Sequence, residues 1–523
     1  MKPLVLPFAI HGPRSMPPLA SLRRLLLACL LSAAAPMVAL TPAAALERVE
    51  LQLPLLQLSF DVKLSELGNP ERLLHGSSDL AEIDRATDGA LGRRIGELFA
   101  TPLPLSTQEL VRNSADSPMF EQVLLVASTL GSIDGVPANL NGAEITAALQ
   151  KASASGAVTI QSLLEALPGE SATVDLERAL AGLRRLQNQF QPAQELLRRL
   201  QPAPVDAAEA APGPLPTLRS TGQLTVKHRS EPLQIVVIRP ERQGNGRLVV
   251  ISHGLWDGPP SFEGWARHLA SRGYSVVLPL HPGSDSSQQR AMLSGKLPPP
   301  GPQELRLRPL DVSAVMDAVG SGGVEGLAGV DSRRVVVIGH SWGATTAMQL
   351  AGVTPSSRRL RERCENPYDP DRNLSWVLQC SFLDSADRAA LADPRVVAVA
   401  AVSPPLNLLF DHGSGQTMNA RALLITGSRD WVVPSGPEAI RRFRHPAENG
   451  HQLVLANGGD HFNLRGLGDG GPLRALLLRW VDAAYASGAS LAPGEGSRSI
   501  LPPSGWGDSE IPLVFVAPTD LPL

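Results

Sequence analysis

From residue 223 onward, short runs of continuously apolar residues recur between longer segments of mixed character. They are Gln234-Ile235-Val236-Val237-Ile238, Leu248-Val249-Val250-Ile251, Ser275-Val276-Val277-Leu278, Val335-Val336-Val337-Ile338, Val396-Val397-Ala398-Val399 and Leu423-Leu424-Ile425. Runs this short, rich in β-branched residues and without polar alternation, predict strands buried on both faces. That means a mostly parallel sheet with helices on each side, an α/β domain over residues 222–487 that closes with a helix near residues 473–486. Upstream the pattern differs. Residues 46–165 are poor in such runs and rich in short helical patterns such as Asn141-Gly142-Ala143-Glu144-Ile145-Thr146-Ala147-Ala148-Leu149. A longer helix follows Asp175, with Leu176, Leu180, Leu183 and Phe190 on one stripe and Arg178, Arg184 and Arg185 on a solvated face. A small all-helical domain over residues 46–200 is therefore expected before the α/β domain.

Proline density marks the boundaries. The stretch from Gln201-Pro202-Ala203-Pro204 to Pro212-Gly213-Pro214-Leu215-Pro216 lacks the backbone donors that a helix interior or a central strand requires, so residues 201–221 are expected to be a linker. Residues 488–523, rich in Pro, Gly and Ser, are expected to be disordered or draped along the surface. At the other end, Arg23 and Arg24 precede an apolar run over residues 25–40 and the small residues Ala43-Ala44-Ala45, the layout of an export signal cut after Ala45. Pro36 interrupts that run, which disfavours a retained membrane-spanning helix. Cys29 follows the arginines too soon for a lipoprotein box.

The balance of charge narrows the partners. With 523 residues, 43% hydrophobic, 19% charged and a formal net charge of -3, the chain can bury a large core and shows no excess charge suited to nucleic acid. A small-molecule partner is the expectation. Beyond the signal, the cysteines are Cys364 and Cys380. In an oxidising compartment they are expected to form a disulfide, with two buried thiols as the alternative.

Candidate chemistry centres on Gly339-His340-Ser341-Trp342-Gly343. A strand ending at Ile338 and a helix starting near Ala344 would hold Ser341 on a sharp turn at the strand's C-terminal edge, with Gly on both flanks where side chains would clash. A serine hydroxyl needs an imidazole to take its proton and an acid to fix that imidazole. His461, in the Gly-rich loop Asn457-Gly458-Gly459-Asp460-His461-Phe462 after an apolar strand, is the candidate base. His445 and His451 read as surface histidines. Asp430, in the loop just past Leu424-Ile425, is the candidate acid, and Asp411 is its rival. Two backbone amides should stabilise the oxyanion: Trp342, and one from Ser252-His253-Gly254-Leu255-Trp256-Asp257-Gly258, with Leu255 preferred over Trp256. His253 and His340 then support the site. Gly466-Leu467-Gly468-Asp469-Gly470-Gly471 matches a dinucleotide pattern, yet no strand leads into it; no metal-ligand motif is present, so no cofactor or metal is expected.

With these residues in view, residues 222–487 resemble α/β-hydrolases of the platelet-activating-factor acetylhydrolase and dienelactone-hydrolase-like group. The resemblance rests on His253-Gly254-Leu255, on the helix Arg308-Pro309-Leu310-Asp311-Val312-Ser313-Ala314-Val315-Met316-Asp317, which reads as packing, and on the Ser341 elbow. In the animal acetylhydrolases the acid follows the preceding strand. That place here reads Ala400-Ala401-Val402-Ser403, so the chain looks more like bacterial members with the later acid. The segments Gly135-Val136-Pro137-Ala138-Asn139-Leu140-Asn141 and Leu163-Leu164-Glu165-Ala166-Leu167-Pro168 look like the helical domain of unknown function that precedes such hydrolases in cyanobacteria. Residues 353–392, with both cysteines and Trp376, fall where this fold often carries a cap over the pocket. The resemblance implies an exported serine hydrolase acting on a small-molecule or lipid ester. Thioester or lactone cleavage, acyl transfer, and a non-catalytic binding role for the helical domain are the alternatives.

Overall fold

Among the described residues, nine strands of the α/β region form one sheet. In chain order the described strands are β1 (Arg48–Leu53), β2 (Leu58–Lys63), β3 (Gly131–Ile133), β4 (Ser171–Asp175), β5 (Thr217–Leu224), β6 (Leu233–Pro240), β7 (Arg247–Ser252), β8 (Ser275–Pro279), β9 (Asp331–His340), β10 (Val396–Val402), β11 (Arg421–Gly427), β12 (Gln452–Ala456) and β13 (Leu513–Val516). The large sheet has the order β13-β12-β11-β10-β9-β7-β8-β6-β5. Its middle, from β8 through β12, is parallel; β5, β6 and β13 pair antiparallel at the two margins. The structure, a computed structural model, describes residues 46–53, 58–67, 69–90, 93, 117–128, 131–133, 143–154, 158–366, 368–411, 413–443, 451–487 and 499–521. The expected leader over residues 1–45 lies outside them, as does His445.

The described helices include α1 (Asp79–Ala86), α2 (Pro118–Ser128), α3 (Ala143–Ala154), α4 (Ile160–Ala166), α5 (Leu176–Arg199), α6 (Glu263–Ser271), α7 (Ser286–Leu293), α8 (Glu304–Gly320), α9 (Trp342–Leu350), α10 (Arg358–Arg363), α11 (Ser375–Cys380) and α12 (Arg474–Ala486). Because successive side chains on a strand point to opposite faces, each continuously apolar strand feeds two cores. On one face Leu248, Val250, Val335 and Val337 pack with α8 and α9 residues such as Val312, Met316 and Ala347. On the other, Val249, Ile251, Val336 and Ile338 meet Trp265 of α6 and Leu477 and Trp480 of α12.

Pro309 sits inside α8. It has no N–H to give to the carbonyl four residues back, and Gln349 of α9 supplies the missing donor: its Nε2 lies 3.0 Å from Leu305 O and 2.9 Å from Ala389 O. A side chain on α9 thus repairs the break in its neighbour.

Three boundary expectations need correction. The segment before the α/β domain is not all-helical: β1 to β4 form a second sheet in the order β2-β1-β4-β3, with β1 and β4 parallel and the outer pairs antiparallel. Leu46, Val49, Val62, Leu64, Leu67 and Ala172 make its apolar core. Of the stripe expected on α5, Leu176, Leu180 and Leu183 lie outside the described side chains and Phe190 is half-buried, while Gln189, Ala193 and Leu196 are buried. The Pro-rich stretch is not a free linker either, since Ala203 N donates to Leu513 O and residues 217–221 already belong to the edge strand β5. Nor is the tail detached along its whole length. Leu513, Val514 and Val516 are buried where β13 covers the edge of β12, and Trp506 is buried with them. Proline-rich chain can join a sheet at an edge, where one row of backbone donors is not needed.

Residues 353–392 carry α10, α11 and a disulfide between Cys364 and Cys380. Glu438, fully buried, fastens α11: it accepts from Ser375 Oγ at 2.5 Å, Gln379 Nε2 at 3.1 Å, and the Leu406 and Asn407 amides at 2.9 and 2.8 Å. The N-terminal segment seats on this insertion, with Gln189 Nε2 3.1 Å from Asp371 O and Arg372 Nη1 3.2 Å from Gln122 Oε1. The disulfide closes a loop of 16 residues' separation, for which chain entropy gives roughly 3 kcal/mol. The variant Cys364→Ser/Cys380→Ser should therefore lose about 3 kcal/mol, read as a lower urea midpoint without reductant; an unchanged midpoint would show that the bridge contributes nothing.

Candidate active site

The turn from β9 into α9 brings three backbone segments together. A Cβ on Gly339 would stand 2.0 Å from Gly343 O, and one on Gly343 would stand 2.0 Å from Ser252 O at the end of β7. Only glycine fits either place. Between them Ser341 is held at φ 53° and ψ -120°, with its amide donating to Val402 O of β10 at 2.9 Å. A non-glycine residue in this region is strained, and the packing around it must hold it there. Ser341 lines a cleft of about 370 Å³ with Leu255, Trp256, Asp257, Gln289, His340, His461, Phe462 and Arg465. The cleft lies at the C-terminal ends of β7 and β9, where the strand order reverses and parallel sheets leave a crevice.

Asp430 and His461 meet. The His461 Nδ1 lies 3.0 Å from Asp430 Oδ2, while Asp430 Oδ1 accepts from the Val432 and Val433 amides at 3.1 and 2.8 Å. Asp430 is wholly out of contact with water. A proton on Nδ1 satisfies that contact and leaves Nε2 of His461 as an acceptor, and His461 and Ser341 line the same cleft. Asp411 is occupied elsewhere, 2.9 Å from Arg358 Nη2. His451, read as a surface residue, is half-buried, with both ring nitrogens out of contact with water; burial holds its pKa down to about 4.

The amides of the expected oxyanion hole differ in availability. Trp256, at φ 57°, gives its N–H to Ser284 O at 2.7 Å, so that donor is spent. The Leu255 and Trp342 amides have no backbone acceptor among the described residues, and Trp342 begins α9, where helical N–H groups lack partners. The two flanking histidines hold backbone. His253 Nε2 accepts from His281 N at 3.0 Å, which puts its proton on Nδ1, 2.7 Å from Gly254 O; His340 Nε2 lies 2.9 Å from His461 O. Burial drives both well below the usual histidine range, aided at His253 by the Arg308 charge and at His340 by His461.

Beneath this loop lies a charged network that α8 carries. His281, fully buried, joins Asp311 Oδ2 through Nδ1 at 2.8 Å and Ser252 Oγ through Nε2 at 2.8 Å. Arg229 forks between Asp311, at 2.7 Å, and Glu304, at 2.7 Å, and His228 Nε2 lies 2.8 Å from Asp311 Oδ1. Arg308 Nη2 donates to His253 O. The helix read as packing is thus also electrostatic. A signal for it was present: Glu304, Arg308 and Asp311 share one face at helical spacing inside an otherwise apolar pattern. Asp257 and Arg465, 3.2 Å apart across the cleft wall, were missed because the two loops that carry them are far apart in sequence.

The insertion over residues 353–392 does not roof the cleft. None of the cleft-lining residues comes from it, and its Phe382 packs on Trp342, next to Ser341, with ring centroids 4.5 Å apart. Among the described residues no cluster of His, Cys, Asp and Glu could hold a metal ion.

A family model described as the alpha/beta hydrolase family matches residues 248–522, just over half of the chain. No curated protein matches.

Two outcomes are expected from this geometry. Asp430→Asn should reduce turnover about 10⁴-fold, whereas Asp411→Asn should stay within about threefold of wild type; the reverse order would move the acid to Asp411. Stability should also fall in acid. Burial holds His281 down to about 3 and His268 down to about 4, while both titrate near 6.5 in the unfolded chain. Between those values the unfolded state binds protons that the folded state refuses, so stability is full above about pH 6.5 and declines toward pH 4, by about 1 kcal/mol per pH unit for each histidine. A urea midpoint equal at pH 7.5 and pH 5 would contradict this.

Proposed function

The chain belongs to the alpha/beta hydrolase family, and we propose that within it the protein is a serine esterase that works through an acyl-enzyme. Ser341 Oγ attacks the ester carbonyl carbon as His461 Nε2 takes its proton. The tetrahedral alkoxide rests on the Leu255 and Trp342 amides. It then collapses as His461 protonates the departing alcohol, leaving the acyl group on Ser341. Water, deprotonated by the same imidazole, repeats the attack and releases the carboxylic acid. Asp430 keeps His461 in the required tautomer and stabilises the imidazolium.

The observation that carries this reading is the 3.0 Å contact between His461 and Asp430, with His461 and the strained Ser341 lining one cleft. A buried structural serine would not need positive φ, and a structural His–Asp pair would not need to open onto a crevice. The substrate is a small-molecule ester, with a lipid ester included in the proposal. Phe462 and Trp431, each about half exposed with ring centroids 6.3 Å apart, adjoin His461 and Asp430 and favour an apolar group at the mouth.

Export belongs to the proposal as well. It is supported by the leader-like pattern of residues 23–45 and by the disulfide, since such bridges persist in oxidising compartments. Among the described residues no helix is long and apolar enough to cross a membrane.

Purified protein should hydrolyse nitrophenyl acetate and butyrate with an initial burst of nitrophenol equal to the enzyme present, and Ser341→Ala should lose the burst and at least about 10⁴-fold in kcat. A Ser341→Ala protein as active as wild type would remove the serine mechanism.

A further inference from the structure

Arg308 is about 1% exposed, and its bonding is incomplete. Its Nη2 donates to His253 O, while Nε and Nη1 have no acceptor among the described residues. The nearby acids are already engaged, because Glu304 and Asp311 both hydrogen-bond to Arg229. Burial lowers Arg308 only to about 10, so it stays charged at neutral pH. Burying a cation with one acceptor is costly, and a side chain needed only for packing would be better apolar.

What Arg308 touches gives the reason. The His253 carbonyl that it holds lies two residues before Leu255 and stands 2.8 Å from where a Cβ on Gly343 would be. Its guanidinium also lies 6.0 Å from the centroid of the Trp342 ring. One side chain therefore bonds the segment that leads to Leu255 and lies over the ring of Trp342, the two residues whose amides are assigned to the oxyanion. His281 and Asp311 hold the same loop from below, through Ser252 Oγ and through the bond from His281 N to His253 Nε2.

We propose that Arg308 is a positioning residue of the oxyanion hole: it fixes the spacing between the Leu255 and Trp342 amides and sets a buried positive charge behind the developing alkoxide. This rests on the serine-esterase reading above. The charge favours the tetrahedral state over the neutral ester, so its loss is felt in turnover rather than in substrate binding.

The test compares wild type, R308M, R308K and S341A in the full chain. It reads kcat and KM on nitrophenyl butyrate, inhibition by an alkyl boronic acid that forms a tetrahedral adduct with serine, and Tm. A lost oxyanion donor costs about 10²–10³-fold, and a residue acting through the donors should cost less. R308M is expected to lose about 10- to 100-fold in kcat, with KM within about threefold and boronate affinity weakened by the same factor as kcat. R308K, which keeps the charge but not the planar fork, should recover only part of both and stay about three- to tenfold below wild type.

Wild-type kcat and boronate affinity in R308M would overturn the proposal. So would a fall of kcat and Tm with a parallel rise of KM in both variants, the mark of a purely structural role. If R308M does not fold, R308K decides: a loss of about three- to tenfold in kcat and boronate affinity at unchanged KM is expected, and wild-type values overturn the proposal. An inactive S341A beside an unaffected R308M would sink this inference alone, whereas an active S341A would sink the serine reading and this inference with it.

Discussion

The close approach of three backbones at Gly339, Gly343 and Ser252 is the constraint on which the rest of the α/β region depends. Side chains are excluded there by contacts of 2.0 Å, so β7 and the start of α9 can be in direct contact only with glycine at both positions. That contact sets Ser341 in its strained conformation, aims the His253–Leu255 loop at it, and fixes where the end of β10 must supply an acceptor for the Ser341 amide. The strain, of order 1–3 kcal/mol, is offset by apolar packing on both faces of the sheet, where the strands around it are almost wholly buried.

Below the turn, charge performs a task that apolar packing could not. Arg229, Glu304, Asp311, His228 and His281 form a network whose members are mostly dry, and a buried ion pair of this kind adds little net stability against an apolar replacement. Its directional bonds do something else: they admit one arrangement of Ser252, His253 and His281, and hence one path for the loop above. Asp311, with three hydrogen-bonding neighbours, is held well below the usual carboxylate range in spite of its burial. His253 and His281, by contrast, stay neutral because burial disfavours their charged forms, which lets each ring both donate and accept.

How much of this was legible follows from the range of the interactions. Strands β6 to β11 were readable because each is continuously apolar, and the places of Ser341, Asp430 and His461 at strand ends because each follows such a strand in a short loop. The N-terminal sheet was not. Its strands β1 and β2 alternate, as in Arg-Val-Glu-Leu-Gln-Leu, so neither shows the continuous apolar run of the large sheet, and short helical patterns surround them. Strand β13 is four residues long and flanked by prolines, so nothing local separates it from loop; only the open edge of β12 makes it a strand. The network under the cleft was hidden for another reason. Its partners lie on β6's approach, on β8's exit and on α8, and only the fold brings Arg229, His281 and Asp311 within bonding distance.

The repair of α8 by Gln349 has an evolutionary reading. Pro309 leaves Leu305 O without its helical donor, and Gln349 meets that need and reaches Ala389 O with the same amide. Neither residue touches the cleft, yet the two are physically linked across a helix interface. Among descendants of this sequence, positions 309 and 349 should therefore change together: a lineage that restores an amide donor at 309 frees 349 to drift, and one that keeps the proline must keep a donor opposite it.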